Sequence, residues 1–228
     1  MTELSGLRIL VVGATGGLGS RISQRLSDAG AVLALSARDA GRLDSLDIAA
    51  ETIAADLRSD SAAVVAEAER RLGGIDAVIV ASGVVAFGPA AELESGTVAE
   101  LFSVNAASPI ELIGAALPAL ARSAEAKRAP VVVTISGIVA EAPTAGLAAY
   151  SASKAALAAF MVAAARENRR AGIRMLDARP GHTETGLVTR AIAGTPPAFP
   201  AGHDADHVAD VIVEAIASGA RDLPSSAF

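Results

Sequence analysis

Leu7-Arg8-Ile9-Leu10-Val11-Val12-Gly13-Ala14-Thr15-Gly16-Gly17-Leu18-Gly19 is the stretch that decides how this chain is read. Leu7 to Val12 is a short apolar run that ends in glycine, the pattern of a strand buried on both faces of a parallel sheet. From Ser20 to Ala29 the apolar residues Ile22 and Leu26 recur at helical spacing, so the glycines fall at a strand-to-helix turn. Glycine lets the backbone approach a ligand, and the unpaired N–H groups of a helix's first turn attract an anion. The stretch therefore predicts a pyrophosphate cradle made by Gly13, Thr15, Gly16, Gly17, Leu18 and Gly19. Tight turns alone also use glycine, but a strand before and a helix after favour the dinucleotide reading.

The same alternation repeats outward from this turn. Ala31–Leu35, Thr52–Ala55, Ile75–Ala81, Val131–Ile135 and Ile173–Ala178 read as strands. Helical patterns run from Asp60 to Leu72, Thr97 to Leu120, Ala155 to Arg170 and Asp206 to Ala217. Six alternations at crossover spacing predict an α/β class: one Rossmann domain over residues 1–228, a doubly wound parallel sheet of six to seven strands flanked by helices. Its ligand crevice lies at the carboxyl ends of the strands. The second strand ends in Ser36-Ala37-Arg38, where a site for unphosphorylated ribose usually holds an acid. Arg38 offers a planar cation for a 2′-phosphate, so NADP(H) is expected over NAD(H). Asp56, beside Leu57 after the third strand, can accept from an adenine amino group or cap the following helix. Ala81-Ser82-Gly83 offers further bare backbone after the fourth.

Tyr150 and Lys154 stand four apart at the start of the alanine-rich run, so both side chains emerge on one helix face. A cation beside a phenol favours the phenolate, which makes the pair a candidate acid/base unit near neutral pH. In the preceding helix Pro109 has no N–H for the carbonyl of Asn105, four residues earlier, which frees that carbonyl to hold a water. Ser136 ends the fifth strand, and Arg179-Pro180-Gly181-His182-Thr183-Glu184-Thr185 follows the sixth. His203 and His207, with Asp204, Asp206 and Asp210 between and after them, read as the acidic start of the last helix and not as a metal site.

Composition narrows the function classes. At 228 residues with no linker-like segment, one core is expected. Net charge is −6 without a Lys/Arg cluster, which argues against a nucleic-acid partner. The longest apolar run, Ala155 to Ala165, is too short to span a bilayer, and no signal segment follows Met1. With no cysteine, a cytoplasmic protein with a small-molecule partner is the expectation.

Gly13, Gly17 and Gly19, Asp56, Asn105, Tyr150-Ser151-Ala152-Ser153-Lys154, and Pro180-Gly181 with Thr185 together resemble the short-chain dehydrogenase/reductase family, over about Leu7 to Glu214. The resemblance implies that Tyr150 exchanges the proton, that Lys154 lowers its pKa and holds the nicotinamide ribose, and that the Asn105 carbonyl positions a water. Hydride would pass between the nicotinamide and a carbonyl or secondary alcohol, with Pro180, Gly181, Thr183 and Thr185 around the carboxamide. Departures are Val12 before the first glycine, Ala81-Ser82-Gly83 after the fourth strand, and Gly137 in the catalytic serine's position, thirteen residues before Tyr150. Ser136, one residue earlier, joins the catalytic set only if the chain turns at Gly137. Losing that hydroxyl costs on the order of a hundredfold in rate, which motivates a second reading as an NADP-binding sensor or scaffold. A short substrate loop at 186–204, with Leu187, Ile192 and Phe199 facing Val84, Val85, Phe87, Ile138, Val139 and Leu147, predicts an apolar carbonyl substrate. The family's assemblies imply a homodimer or homotetramer, a dimer forming through the Asn105 and Tyr150 helices.

Overall fold

A computed structural model describes residues 2–228. Six strands, β1 (Arg8–Val12), β2 (Val32–Ala37), β3 (Glu51–Ala54), β4 (Ala77–Val80), β5 (Val131–Ile135) and β6 (Arg174–Ala178), form one parallel sheet in the order β3-β2-β1-β4-β5-β6. The order reverses between β1 and β4, and an open α/β sheet forms its crevice at that point. A seventh strand is reduced to a single parallel bridge between Ala178 and Leu223.

Alternation along β1 shows how the sequence produces two layers. Ile9 and Val11 face one side, with Ile22 and Leu26 of α1 (Gly17–Asp28) and Val208 and Ile212 of α7 (Ala205–Ser218). Leu10 and Val12 face the other, with Val64 of α3 (Leu57–Leu72), Leu112 of α5 (Ser108–Glu125) and Leu157 of α6 (Ala148–Asn168). A short α2 (Ala40–Asp44), capped by Asp39, follows β2 and is absent from the sequence reading. Helix starts also move: α1 begins at Gly17, inside the glycine turn, and α6 at Ala148, so Tyr150 and Lys154 lie within its first two turns.

The helix expected from Thr97 to Leu120 is longer and is interrupted. It runs as α4 (Ser95–Phe102), a π turn (Ser103–Ala107) in which the Ser108 N–H donates to the Ser103 carbonyl five residues back, and then α5. Pro109 then falls in the first turn of α5, where its missing N–H is tolerated. Ser95–Glu125 and Ala148–Asn168 are long and apolar enough by composition to cross a bilayer. Here both contribute to the core beside the sheet.

Candidate active site

Gly13 leaves β1 at φ +78, and a β-carbon there would lie 2.6 Å from the Ser82 nitrogen, so the β1 and β4 exits meet only around a glycine. Past it, α1 starts with no side-chain cap and no acidic residue in its first turn, leaving its first N–H groups and positive dipole end for an anion. A cleft of about 310 Å³ opens from this turn, lined by Thr15, Gly16, Ser36, Arg38, Asp56, Leu57 and Ala81 to Gly83. Two residues of its wall, Ser36 and Ser82, carry buried hydroxyls with no partner. Unpaired buried hydroxyls are costly, by about 1–3 kcal/mol each. A ligand rich in donors and acceptors fits such a wall, as a dinucleotide is.

The charged rim differs from the sequence expectation in detail. Arg38 is exposed at the end of β2, as read. Arg42, on α2, also reaches the cleft and donates to the Thr15 carbonyl at 2.6 Å. Sequence reasoning missed it because α2 itself was not foreseen. Asp56 caps α3 by accepting from the Arg58 N–H, and both its oxygens are bound by the Arg58 guanidinium, which also grips Glu100. Asp56 thus does cap α3, with its carboxylate already held by Arg58. Arg190 lines both this cleft and the neighbouring one.

That second cleft, of about 290 Å³, shares Gly16, Ala81, Ser82 and Gly83 and adds Ile135, Ser136, Gly137, Tyr150, Lys154, Pro180, Gly181, Thr183 and Thr185. Glycine turn, β5 end, α6 and the loop after β6 thus converge. Asn105, fully buried in the π turn, is a clamp. Its Oδ1 accepts from the Val84 N–H at 2.9 Å, while Nδ2 donates to the Val84 carbonyl and to Ser153 Oγ. Ser153 in turn donates to the Tyr150 carbonyl at 2.7 Å. With the side chain so engaged, the Asn105 group that can meet a water is the main-chain carbonyl.

Lys154 is 6% exposed and its Nζ donates to the Ile135 carbonyl at 2.8 Å. Burial pushes this ammonium down to about 8, opposed by the Asp177 carboxylate. Burial also pushes the Tyr150 phenol up to about 12. The lowered tyrosine pKa expected from the i, i+4 spacing is not seen here, since the ammonium is turned to a carbonyl and the phenol stays protonated at neutral pH.

Ser136 directly follows β5 with its hydroxyl donated to Asp177 Oδ2 at 2.5 Å, beside Thr134, which donates to Oδ1 at 2.6 Å. The chain does turn at Gly137, φ +76 and ψ 167, but after Ser136, so the serine hydroxyl stays on the buried side. The apolar half of the cleft is lined by Val85, Phe87, Ile138, Val139, Leu147, Leu187 and Phe199 as read, whereas Val84 and Ile192 line the other cleft. His182 stacks on Phe199 with ring centroids 4.8 Å apart. Of the acidic residues near His203 and His207, Asp204 caps α7, and Asp206 and Asp210 pair with Arg21 and Arg25 of α1.

Comparison with known proteins agrees with this architecture. Residues 8–195 match the family model described as short chain dehydrogenase. The chain is 31% identical over 190 residues to the cyclic-di-GMP-binding biofilm dispersal mediator protein of Escherichia coli (strain K12), covering 81% of this chain and 76% of that one. It is 29% identical, also over 190 residues, to the uncharacterized oxidoreductase YmfI of Bacillus subtilis (strain 168), covering 79% and 76%. A crystal structure of a short-chain dehydrogenase from Streptomyces avermitilis superposes with a TM-score of 0.84 at 27% identity, over 98% of this chain and 90% of that one. The chain belongs to the short-chain dehydrogenase/reductase family of NAD(P)-dependent oxidoreductases.

Proposed function

We propose that this protein is an NADP-dependent reductase or dehydrogenase acting on an apolar carbonyl or the matching secondary alcohol. The observation that carries the reading is the meeting of Tyr150 and Lys154 with the Ala81-Ser82-Gly83 backbone in one cleft, beside an apolar pocket. NADP, when bound, supplies or accepts the hydride. Gly13, Thr15, Gly16, Gly17, Leu18 and Gly19 would hold its pyrophosphate, Asp56 and Leu57 its adenine, Arg38 with Arg42 its 2′-phosphate, and Pro180, Gly181, Thr183 and Thr185 its carboxamide. Tyr150 gives its proton to the substrate oxygen as the alcohol forms, and takes one in reverse. Lys154 keeps a positive charge next to the reacting centre, and the Asn105 carbonyl holds a water that reloads the tyrosine. The pocket around Phe87, Leu147 and Phe199 excludes water from an apolar substrate.

Residues 1–228 act as a single unit in this reading, in the cytoplasm. Phe102 and Val162, exposed at 37% and 55% on the helical runs that carry Asn105 and Tyr150, favour assembly into a dimer or tetramer through those helices. Titration of NADPH and NADH against wild type and Arg38→Ala, followed by a panel of ketones and aldehydes, tests the proposal. Expected are tighter NADPH binding, its loss by on the order of tenfold in Arg38→Ala, and turnover abolished by Tyr150→Phe. An unaffected Tyr150→Phe enzyme would overturn the mechanism. A second reading, as an NADP-binding sensor or scaffold, is favoured by the engaged Ser136 hydroxyl and by a relative named for binding a cyclic dinucleotide. Tight NADPH binding without turnover of any panel member is its expected signature.

A further inference from the structure

Asp177 and Asp76 are the only buried carboxylates among the described residues, and Asp177 lies on the α6 side of β6, two residues from Met175 of the α6-facing core. Its two oxygens accept from Thr134 and Ser136, which flank Ile135, and the Ile135 carbonyl is the group that receives Lys154 Nζ. Carboxylate and ammonium are thus fastened to three consecutive residues, the carboxylate to Thr134 and Ser136 and the ammonium to Ile135 between them. We propose that Asp177 is a positioning residue, the fixed buried counter-charge that keeps Lys154 an ammonium at the floor of the cleft. This deepens the reductase reading and rests on it for its catalytic consequence: a neutral Lys154 could no longer favour the tyrosinate.

Other groups around Lys154 do not supply this charge. Tyr150 on α6 is protonated at neutral pH, Asn105 on the π turn is neutral, and β5 offers only hydroxyls and a carbonyl. Arg179 lies 3.6 Å from Asp177 but is also bound to Glu141 and Asp222, so it does not neutralise the carboxylate alone. The arrangement also assigns Ser136 a task in place of the catalytic one: its hydroxyl holds the counter-charge in line.

Lysine occurs only at positions 127 and 154. Lys127→Arg therefore leaves a single lysine, and carbon-13 lysine labelling gives one ε-carbon signal whose titration reads Lys154 directly. Asp177→Asn in this background is expected to lower the Lys154 midpoint by about one pH unit or more; an unmoved midpoint overturns the proposal. Because Asp177→Asn disturbs a buried network, the reciprocal measurement uses Lys154→Met, an apolar side chain of similar length. There the Asp177 carboxyl midpoint, read from aspartate carbon-13 signals, is expected to rise by about one unit, since coupled groups shift one another. An unchanged carboxyl midpoint also overturns the proposal. Neither signal needs turnover, so an inactive protein would count against the reductase reading alone.

Discussion

Tyr150 is the only tyrosine in a chain without tryptophan, so tyrosinate absorbance reports on it without interference. Burial raises it, and the expected midpoint is near 12, above the free value of about 10. The sign follows: the group keeps its proton through neutral pH, so carbonyl reduction is expected to be flat from about pH 6 to 9 on its account, while alcohol oxidation rises with pH. A tyrosine midpoint at or below the free value would contradict this. At Gly137 the backbone region, positive φ with ψ near 180°, is essentially glycine's own. Gly137→Ser is therefore expected to lose about 2 kcal/mol, near 6 °C in Tm, with no gain in rate, although a β-carbon there would meet only the Pro180 carbonyl at 3.6 Å. Thermal melts and steady-state rates of the variant check both halves. The sequence made the absence of a serine at 137 legible, but not the destination of the Ser136 hydroxyl, which depends on a carboxylate 41 residues away.

Among the elements, the π turn shows most clearly what periodicity conveys and what it hides. Apolar spacing marked one helix, and Pro109 marked a fault in it. Nothing local says that the fault is resolved by an extra residue in the turn, because that outcome depends on Asn105 finding Val84 and Ser153 on two other elements. The same dependence predicts the effect of removing the clamp. Asn105→Ala keeps the main-chain carbonyl but strands the Val84 N–H and carbonyl and frees Ser153 beside the Tyr150 backbone. A loss of about 3 kcal/mol is expected, read as a lower urea midpoint at unchanged m-value, together with a fall in turnover at saturating substrate. Stability within about 0.5 kcal/mol of wild type would mean that neighbouring packing, not the clamp, sets the turn.

For the molecule as a whole, crossover spacing made the parallel sheet and its crevice readable before any coordinates, since strand order follows from short right-handed connections. Long-range charge pairing was not readable. Arg8 sits inside the apolar run that opens the chain, and its reason lies 68 residues away: its backbone N–H, Nε and Nη2 all bind Asp76, which also accepts from Ser123. This cluster ties the start of β1 to the chain entering β4, at the amino ends of the two central strands and so opposite the crevice. Burial alone would raise the Asp76 carboxyl, but the Arg8 and Ser123 bonds outweigh it and hold the group at about 2. A depressed carboxyl pKa contributes stability that is complete above the unfolded value near 3.9 and is lost as pH falls toward 2. The amount at stake is about 2 kcal/mol. Urea midpoints measured between pH 6 and pH 2.5 should therefore hold steady to about pH 4 on this account and then decline. Arg8→Met removes the hydrogen-bonded cation and leaves Arg128 Nε, 3.0 Å from Oδ2, as the remaining one, so it is expected to cost about 2 kcal/mol at neutral pH and to flatten the acid limb, because Asp76 then takes up its proton at a pH closer to that of the unfolded chain. An acid limb as steep in Arg8→Met as in wild type would show that other carboxylates govern acid unfolding of this fold.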